Sequence, residues 1–344
     1  MRSTIASSLL FSLVTGLPSQ PRQSLLSSPV ADVTSSSAPT SWTAQCGGRT
    51  YLGSYTVMMD WAECRDYCKY SPHADQLGHQ LVFADILDSD TMECLRYNMN
   101  QQYQPGNGYA GHYWVGGYRG EDGQYMWDSG ETFNYQDFVS NPGAKPYVHL
   151  TPGNNYQWNT KSDTNDRDNG CLCRSLEPVE EMEAVNQSNC EEGWLDLGDK
   201  CIILPPKVED EKIDYYETGK LCQETYGGSM VEWSSYEEYV RLSILMSEHF
   251  VTHGNRRSFI SAQRTEEVSG LGLWSWPDSG ESAFLDGDMN YWAGPKDQGV
   301  YWGPQPWDTP GFTCALFQKG FGLGRLVNTK CDPTYPPMCQ KMKV

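Results

Sequence analysis

The sequence has no long hydrophobic run after its first residues, and it is short of positive charge. No segment beyond residue 16 approaches the roughly 20 apolar residues of a membrane helix, so no membrane span is expected. Only 25 Lys and Arg stand against 44 Asp and Glu, which gives a formal net charge of −19 over 344 residues. Nucleic acid and anionic membrane surfaces are therefore disfavoured as partners, because they repel an acidic chain.

Motifs of catalysis and of metal binding are missing as well. The sequence has no Gly-x-Ser-x-Gly nucleophile elbow and no Walker-type phosphate loop. Residues 106–111 read Gly-x-Gly-x-x-Gly, but they lie between a predicted helix and a predicted strand, whereas the dinucleotide-binding fingerprint leads from a strand into a helix. Its six histidines form no His-Glu-x-x-His motif and no Cys/His zinc spacing. One of them, His149, alternates with the apolar Val148 and Leu150, which predicts a strand residue that faces solvent. We therefore expect no enzymatic activity.

The first residues have the pattern of a secretion signal. The basic Arg2 precedes an apolar stretch from Ile5 to Val14, and small and turn residues follow. This stretch is too short to span a bilayer, so residues 1–16 are predicted to be a signal peptide and the protein to be secreted and extracellular. Residues 17–45 are rich in Ser, Pro and Thr and lack a helical or strand period, which predicts a flexible segment.

The cysteines divide the chain into two parts. In a secreted chain, twelve cysteines are expected to form disulfides rather than to bind metal. They fall into two groups of six, which are Cys46, Cys64, Cys68, Cys94, Cys171 and Cys173, and then Cys190, Cys201, Cys222, Cys314, Cys331 and Cys339. The polar, acidic gap predicts a linker over residues 175–189, with a glycosylation sequon at Asn186. Two domains are therefore predicted, over residues 46–174 and 190–342.

The two parts follow the same order of predicted elements. Each begins with an amphipathic helix that carries cysteine, continues with a second, charged helix and a strand with an aromatic turn, and ends in a cysteine-bearing strand. The first helices lie in DWAECRDYC (60–68) and YYETGKLCQETYGG (215–228), and the last strands lie in NGCLCR (169–174) and PPMCQK (336–341). This repetition predicts a duplicated unit of the α+β class.

The second part resembles the C-type lectin-like domain over nearly its whole length, from Asn189 to Lys341. Besides the cysteine spacing, Phe259–Ala262 stands where the family has Trp-Ile-Gly-Leu, and Trp274–Trp276 lies in the following turn. The resemblance implies two helices, small antiparallel sheets and a long loop region. It also implies three disulfides, which are Cys190–Cys201, Cys222–Cys339 and Cys314–Cys331.

The first part resembles the same family through Tyr113–Gly117 and Trp127–Gly130. It departs from the family where the long-loop disulfide is expected, because Tyr147 and Asp163 stand at the two cysteine positions. Losing both cysteines together is self-consistent, since the loss of one alone would leave a free thiol. The resemblance therefore implies a second, divergent C-type lectin-like domain.

The pairing of the remaining cysteines in the first part is left open by the sequence. The resemblance implies that Cys68 still ties the first helix to the last strand, through Cys171 or Cys173. Cys64, four residues earlier on the same helix, is expected to reach Cys94 on the next helix. Six cysteines allow many pairings, and the sequence does not choose among them.

Sugar-binding members of the family hold Ca²⁺ with side-chain oxygens, because the ion takes about 6 to 8 hard oxygen ligands. These come from a Glu-Pro-Asn or Gln-Pro-Asp loop, an acidic residue two before the third core cysteine, and a Trp-Asn-Asp strand. The corresponding residues of the second part are Gln305-Pro306-Trp307, Phe312 and Leu326-Val327-Asn328. Those of the first part are Asn141-Pro142-Gly143, Lys145 and Trp158-Asn159-Thr160.

Neither part keeps a full set of carboxylates at these positions. The nearby Asp163, Asp166 and Asp168 are interrupted by Arg167 and lack the Glu that closes an EF-hand, so a solvated loop is predicted there. For calcium most of the ligand set is missing, and we expect neither a cofactor nor calcium-dependent monosaccharide binding.

The long loops are nevertheless predicted to form a recognition surface. The residues expected to contact ligand are Asn141, Trp158, Asn159, Trp302, Gln305, Trp307 and Asn328. Aromatic faces stack on sugar rings or anchor protein partners, so the predicted partner is a glycan, such as a microbial or host surface polysaccharide, or an extracellular protein. The charge of −19 supports an alternative, an acidic extracellular-matrix or mineral-associated structural protein.

Overall fold

A computed structural model gives the architecture of most of the chain. It describes residues 41–102, 111–162, 169–176, 190–204, 213–253, 257–264, 274–280, 283, 292, 311–318 and 323–343. We call residues 41–176 the first half and residues 190–343 the second half. The predicted signal peptide, most of the flexible segment and the glycosylation site Asn186 lie outside the described residues, as do Trp302, Gln305 and Trp307.

The first half opens with a hairpin of β1 (Ser41–Cys46) and β2 (Arg49–Met59), paired residue by residue. The prediction of a flexible segment up to residue 45 is therefore wrong for its last five residues. In β1, Trp42, Ala44 and Cys46 are buried in alternation with more exposed residues, so one face of the strand packs on the core. This period of two is short, and the Ser/Pro-rich stretch before it hides it in the sequence.

Three helices and six further strands complete the first half. The helices are α1 (Trp61–Tyr70), α2 (Pro72–Leu77) and α3 (Ser89–Gln102). The strands are β3 (Leu81–Phe83), β4 (Tyr113–Arg119), β5 (Tyr125–Trp127), β6 (Tyr147–Thr151), β7 (Gln157–Lys161) and β8 (Asn169–Ser175). All eight strands form one sheet in the order β1-β2-β8-β4-β6-β7, with β3 beside β8 and β5 beside β4. Ser175, predicted to begin the linker, is instead buried at the end of β8.

The second half has two helices and eight strands among its described residues. The helices are α4 (Tyr215–Glu224) and α5 (Tyr236–His253). The strands are β9 (Leu195–Asp196), β10 (Lys200–Ile203), β11 (Ser229–Met230), β12 (Arg257–Arg264), β13 (Trp274–Ser275), β14 (Cys314–Gln318), β15 (Arg325–Thr329) and β16 (Cys339–Met342). They form two four-stranded sheets, β11-β16-β10-β9 and β13-β12-β14-β15. None of the helices in the described ranges is long and apolar enough to cross a membrane.

The first helix of each half starts with the same cap. In α1 the Asp60 carboxylate accepts from the Glu63 backbone N–H at 2.8 Å, and Glu63 accepts from the Asp60 N–H at 3.1 Å. Asp214 and Glu217 repeat this capping box in α4. A capping box satisfies two backbone N–H groups that a helix end otherwise leaves unpaired, so both helices have a defined first residue.

Six disulfides hold the mixed helix and sheet elements together. Those of the second half are the three that the resemblance implies, Cys190–Cys201, Cys222–Cys339 and Cys314–Cys331. Those of the first half are Cys46–Cys94, Cys64–Cys171 and Cys68–Cys173.

The expectation that Cys64 reaches Cys94 is wrong, and helix and strand geometry explain why. Four residues of a helix rise about 6 Å, and two residues of a strand rise about 6.7 Å. Cys64 and Cys68 on α1 therefore match the spacing of Cys171 and Cys173 on β8, and two parallel bridges form. Cys94 pairs instead with a cysteine at the end of β1.

The two halves pack against each other within one compact unit, residues 38–344. Helix α5 of the second half lies against α1, α2 and β2 of the first, and one hydrophobic cluster contains residues of both halves. Polar pairs surround this contact: His73 Nε2 lies 2.7 Å from Glu248 Oε1, and Tyr236 Oη donates to Asp66 Oδ2 at 2.7 Å. The core therefore continues from one half into the other.

Candidate functional site

A pair of antiparallel strands recurs at the same place in each half and positions the loops of the candidate site. In the first half β6 pairs with β7 from Tyr147 opposite Lys161 to Thr151 opposite Gln157. In the second half β14 pairs with β15 over five positions, starting with Cys314 opposite Thr329. We call these the first and second ladders.

The register aligns the two ladders residue by residue. In the first ladder, Trp158-Asn159-Thr160 directly precede Lys161, the partner of Tyr147. In the second ladder, Leu326-Val327-Asn328 directly precede Thr329, the partner of Cys314. The two triplets therefore occupy equivalent positions. Tyr147 stands where Cys314 stands in the second ladder. The position equivalent to Cys331 is Asp163, which lies outside the described residues.

An aromatic contact lies where the second ladder has its disulfide. The Cys314–Cys331 bridge links β14 to the end of β15. In the first half, the ring of Tyr147 stacks on that of Trp61 with centroids 4.8 Å apart, which packs the start of β6 against helix α1. Stacked rings stabilise by about 0.5–1.5 kcal/mol beyond the area they bury.

Trp158 was predicted to contact ligand, and that prediction is wrong. Its side chain is fully buried under the first ladder. Four aromatic rings surround it at centroid distances of 5.3 to 5.5 Å, and they belong to Trp127, Phe133, Tyr135 and Phe138. Trp158 therefore belongs to the aromatic core behind the first ladder and is inaccessible to a ligand.

Asn328 was also predicted to contact ligand, and it too is buried, with 3% exposure. Its Nδ2 donates to the backbone oxygen of Phe312 at 3.3 Å. The equivalent Thr160 of the first ladder makes a similar contact, because its Oγ1 donates to the backbone oxygen of Pro142 at 2.7 Å. In both halves this position ties the ladder to the preceding loop.

These contacts do not fit the calcium site that the resemblance implies. Thr160 and Asn328 hold the place of the strand's Asp, and each turns a donor rather than a carboxylate toward the neighbouring loop. Lys145, at the position of another acid, is exposed and would bring a cation to the metal. Within the described residues, no group of three or more His, Cys, Asp or Glu is arranged to hold a metal ion.

Asn141, Lys145 and Asn159 are exposed and border the same part of the first ladder. The hydrogen bond from Thr160 Oγ1 to Pro142 holds the loop that carries Asn141 against strand β7, which carries Asn159. The backbone N–H of Gly143, which lies at φ +67°, donates to Asn141 Oδ1 at 3.2 Å and shapes the turn. We call Asn141, Lys145 and Asn159 the first loop face.

Tyr125 fixes the far end of this loop. Its hydroxyl donates to the backbone oxygen of Lys145 at 2.7 Å. Burial raises the pKa of Tyr125 above its usual value, so the phenol remains a donor at neutral pH. The loop is thus held at Pro142 and at Lys145, and the polar ends of the first loop face project from a fixed backbone.

His149 was predicted to face solvent, and the structure shows that it is buried, with 2% exposure. Its ring lies 5.6 Å from that of Trp114 and 5.7 Å from that of His112. Strand β6 runs between β4 and β7, and packing covers both of its faces. Alternation of residue types along one strand therefore does not predict its exposure.

The structure also reveals a feature that the sequence did not indicate. A cavity of about 450 Å³ lies beside the second ladder, lined by Asp214, Tyr216, Gly311, Thr313, Lys330, Cys331 and Asp332. Its one signal in the sequence is Tyr216, an aromatic residue on the polar side of an amphipathic helix. Trp292 is half-buried, and the centroid of its ring lies 4.9 Å from that of Trp274.

No protein-family model and no curated protein matches the sequence. Among solved structures, the mouse scavenger receptor C-type lectin carbohydrate-recognition domain is similar at 23% identity, covering 45% of this chain and 99% of its own, with a TM-score of 0.31. The C-type lectin CEL-I from Cucumaria echinata is similar at 20% identity, covering 40% and 96%, with a TM-score of 0.31. A calcium-independent type II antifreeze protein is similar at 17% identity, covering 45% and 95%, with a TM-score of 0.32. The chain is thus similar, over about 40–45% of its length, to C-type lectin domains of known structure.

Proposed function

We propose that this chain is a secreted, non-enzymatic recognition protein with two C-type lectin-like domains in tandem, over residues 46–174 and 190–342. The repeated capping boxes, the equivalent ladders and the bridge between first helix and last strand in each half support the duplication. Six disulfides and a domain frame that depends on them suit an oxidising extracellular compartment.

We further propose that the ligand is carbohydrate and that binding needs no calcium. The hydrogen bonds of Thr160 to Pro142 and of Asn328 to Phe312 carry this part of the proposal. They occupy the strand position at which the family's sugar-binding members place a calcium ligand. Each closes the gap between ladder and loop with a direct hydrogen bond, and this leaves no carboxylate there to hold the ion.

The first loop face supplies the chemistry for sugar hydroxyls without a metal. Asn141 and Asn159 each carry an amide nitrogen that donates, and Lys145 adds an ammonium donor. The Oδ1 atoms of the two asparagines already accept from the Gly143 and Thr160 N–H groups, and each keeps one further lone pair. Their backbone is fixed by the contacts of Pro142 and Tyr125, so little loop entropy is lost on binding. Exposed polar side chains of this kind suit one end of a glycan better than a deeply buried small molecule.

A glycan array measured with calcium and again with EDTA tests the proposal. We expect binding to at least one glycan class that is equal in the two buffers. Asn159→Ala should reduce the signal, and Asn154→Ala, an exposed asparagine at the far end of the same hairpin, should leave it unchanged. Signals that disappear in EDTA would show that the calcium part is wrong, and a blank array would contradict carbohydrate recognition.

The net charge of −19 favours one second candidate, an acidic matrix or mineral-associated protein. Binding to calcium carbonate or chitin that survives Trp302→Ala and Trp307→Ala would support it, because bulk charge would then matter more than the loop aromatics. Loss of binding to calcium carbonate or chitin in either variant would instead support recognition through the loop aromatics.

A further inference from the structure

The cavity beside the second ladder belongs to the second half, whereas the first loop face belongs to the first, and the cavity's lining residues Gly311 and Thr313 flank Phe312. Its walls are the start of α4 on one side and one end of the second ladder, where β14 begins and β15 ends, on the other. At about 450 Å³ its volume falls within the range of roughly 300–1,000 Å³ that small-ligand sites occupy.

Covalent and backbone contacts fix these walls. The Cys314–Cys331 disulfide joins the start of β14 to the segment after β15, and the Tyr215 N–H donates to the Cys331 backbone oxygen at 3.1 Å. On the other edge, the Arg264 N–H donates to the Thr313 oxygen at 2.8 Å. The cavity is therefore formed before any ligand arrives, which lowers the entropic cost of binding.

The lining presents one aromatic face and several polar groups. The side chain of Tyr216 is 63% exposed, and those of Lys330 and Asp332 are exposed as well. In the part of the chain that the structure describes, neither Lys330 nor Asp332 takes part in a hydrogen bond or an ion pair. Both are thus available to a ligand as a donor and an acceptor.

Tyr216 accepts from Gln263 Nε2 at 3.4 Å and its ring contacts that of Tyr215, but the first half shows that the helix start does not require an aromatic residue here. The capping boxes align Asp214 with Asp60, and Tyr216 then corresponds to Ala62. The first helix of the first half forms without an aromatic residue at this position. An aromatic ring is thus not required for this helix to start, and at Tyr216 it lines the cavity.

We propose that this cavity is a second, calcium-independent carbohydrate subsite that takes one neutral sugar residue. The ring face of Tyr216 stacks on the apolar face of the sugar, Asp332 accepts from its hydroxyls, and Lys330 donates to them. Asp214 contributes less, because its Oδ1 already accepts from the Glu217 N–H at 2.8 Å. The inference rests on the proposed carbohydrate recognition and adds a site to it.

Saturation-transfer NMR of the full chain in EDTA tests this subsite. The probes are the methyl glycosides of mannose, galactose, glucose and N-acetylglucosamine. We expect at least one of them to bind, and Tyr216→Ala to weaken its binding about 3- to 10-fold, the size of one lost stacking contact. Tyr216→Phe, which keeps the ring, should retain binding, and Asp332→Asn should weaken it.

Tyr97→Ala is the matched control, because Tyr97 is 67% exposed on helix α3 of the first half. It should bind the glycosides as the unmodified chain does. Equal binding by Tyr216→Ala and the unmodified chain would overturn the subsite, as would the absence of saturation transfer from all four glycosides. If the subsite fails but the glycan array still gives signals that Asn159→Ala reduces, the proposed function stands. A blank array would contradict both the proposed carbohydrate recognition and the subsite.

Discussion

Arg325 Nη2 of strand β15 lies 2.6 Å from Glu63 Oε1, so the second ladder of one half is tied to the helix cap of the other. The second oxygen of Glu63 accepts from the Asp60 N–H, and Arg325 Nη1 donates to the Tyr239 hydroxyl at 3.1 Å. The two side chains of the pair are 15% and 8% exposed. The halves are thus joined by a largely buried ion pair as well as by a shared core.

Glu63→Ala should destabilise the chain much more than Glu217→Ala. The two residues hold the same capping-box position, so each variant loses a cap that is worth about 1 kcal/mol. Only Glu63→Ala also leaves a mostly buried guanidinium without its carboxylate, which raises its total cost to roughly 3–5 kcal/mol. Urea unfolding of the two variants measures the difference, and equal losses would show that the Arg325 contact contributes nothing.

The two parallel disulfides between α1 and β8 should be partly redundant, so that either one alone keeps most of the stabilisation. With Cys68–Cys173 intact, Cys64–Cys171 closes only a short additional ring, so replacing either pair by alanine should cost roughly 2 kcal/mol. Replacing both pairs opens a loop of more than a hundred residues and should cost roughly 7 kcal/mol. A double-mutant cycle by urea unfolding measures this excess. Additive losses would contradict the redundancy.

Trp158→Ala should act on folding rather than on binding. Removing a fully buried indole from an aromatic cluster should cost about 3–5 kcal/mol. Its exposed neighbour Asn159 can be changed to Ala within about 0.5 kcal/mol. Thermal unfolding separates the two, and a Trp158→Ala variant that unfolds like the unmodified chain would place this side chain on the surface.

Alkaline conditions should unfold the chain once its buried tyrosines are forced to ionise. Burial raises the pKa of Tyr67 and Tyr239 above the usual value of about 10, and burial followed by the hydrogen bond to Asp66 does so for Tyr236. The unfolded chain releases these protons near pH 10 while the folded chain keeps them, so stability is intact below about pH 10 and falls as the pH rises further.

Near-ultraviolet absorbance of tyrosinate, recorded together with circular dichroism, checks this expectation. A group of tyrosines should ionise only as the secondary structure is lost, and Tyr236→Phe should remove one member of that group. If all 21 tyrosines titrate together while the fold persists, the burial described for these phenols is wrong.

Local patterns made several features predictable. Amphipathic spacing indicates the helices around Cys64 and Cys222. Cysteine spacing, read through the family resemblance, implies the three bridges that the second half contains. These features depend on residues close in the chain or on a pattern shared with known domains.

Features that depend on contacts across the sheet were not predictable. The exposure of His149 and Trp158 depends on strands β4 and β7 and on the aromatic rings packed behind them. The pairing of Cys64 with Cys171 depends on how helix α1 aligns with strand β8. The cavity at Tyr216 brings together residues more than a hundred positions apart, which no sequence period reveals.

The dissociation constant for the glycan that binds most strongly on the array, measured by calorimetry in calcium and in EDTA, tests the central claim most directly. Calcium-independent recognition predicts two constants that agree within about twofold. A constant that rises more than about tenfold in EDTA would contradict it, because a bound cation would then supply more than about 1.4 kcal/mol of the binding free energy.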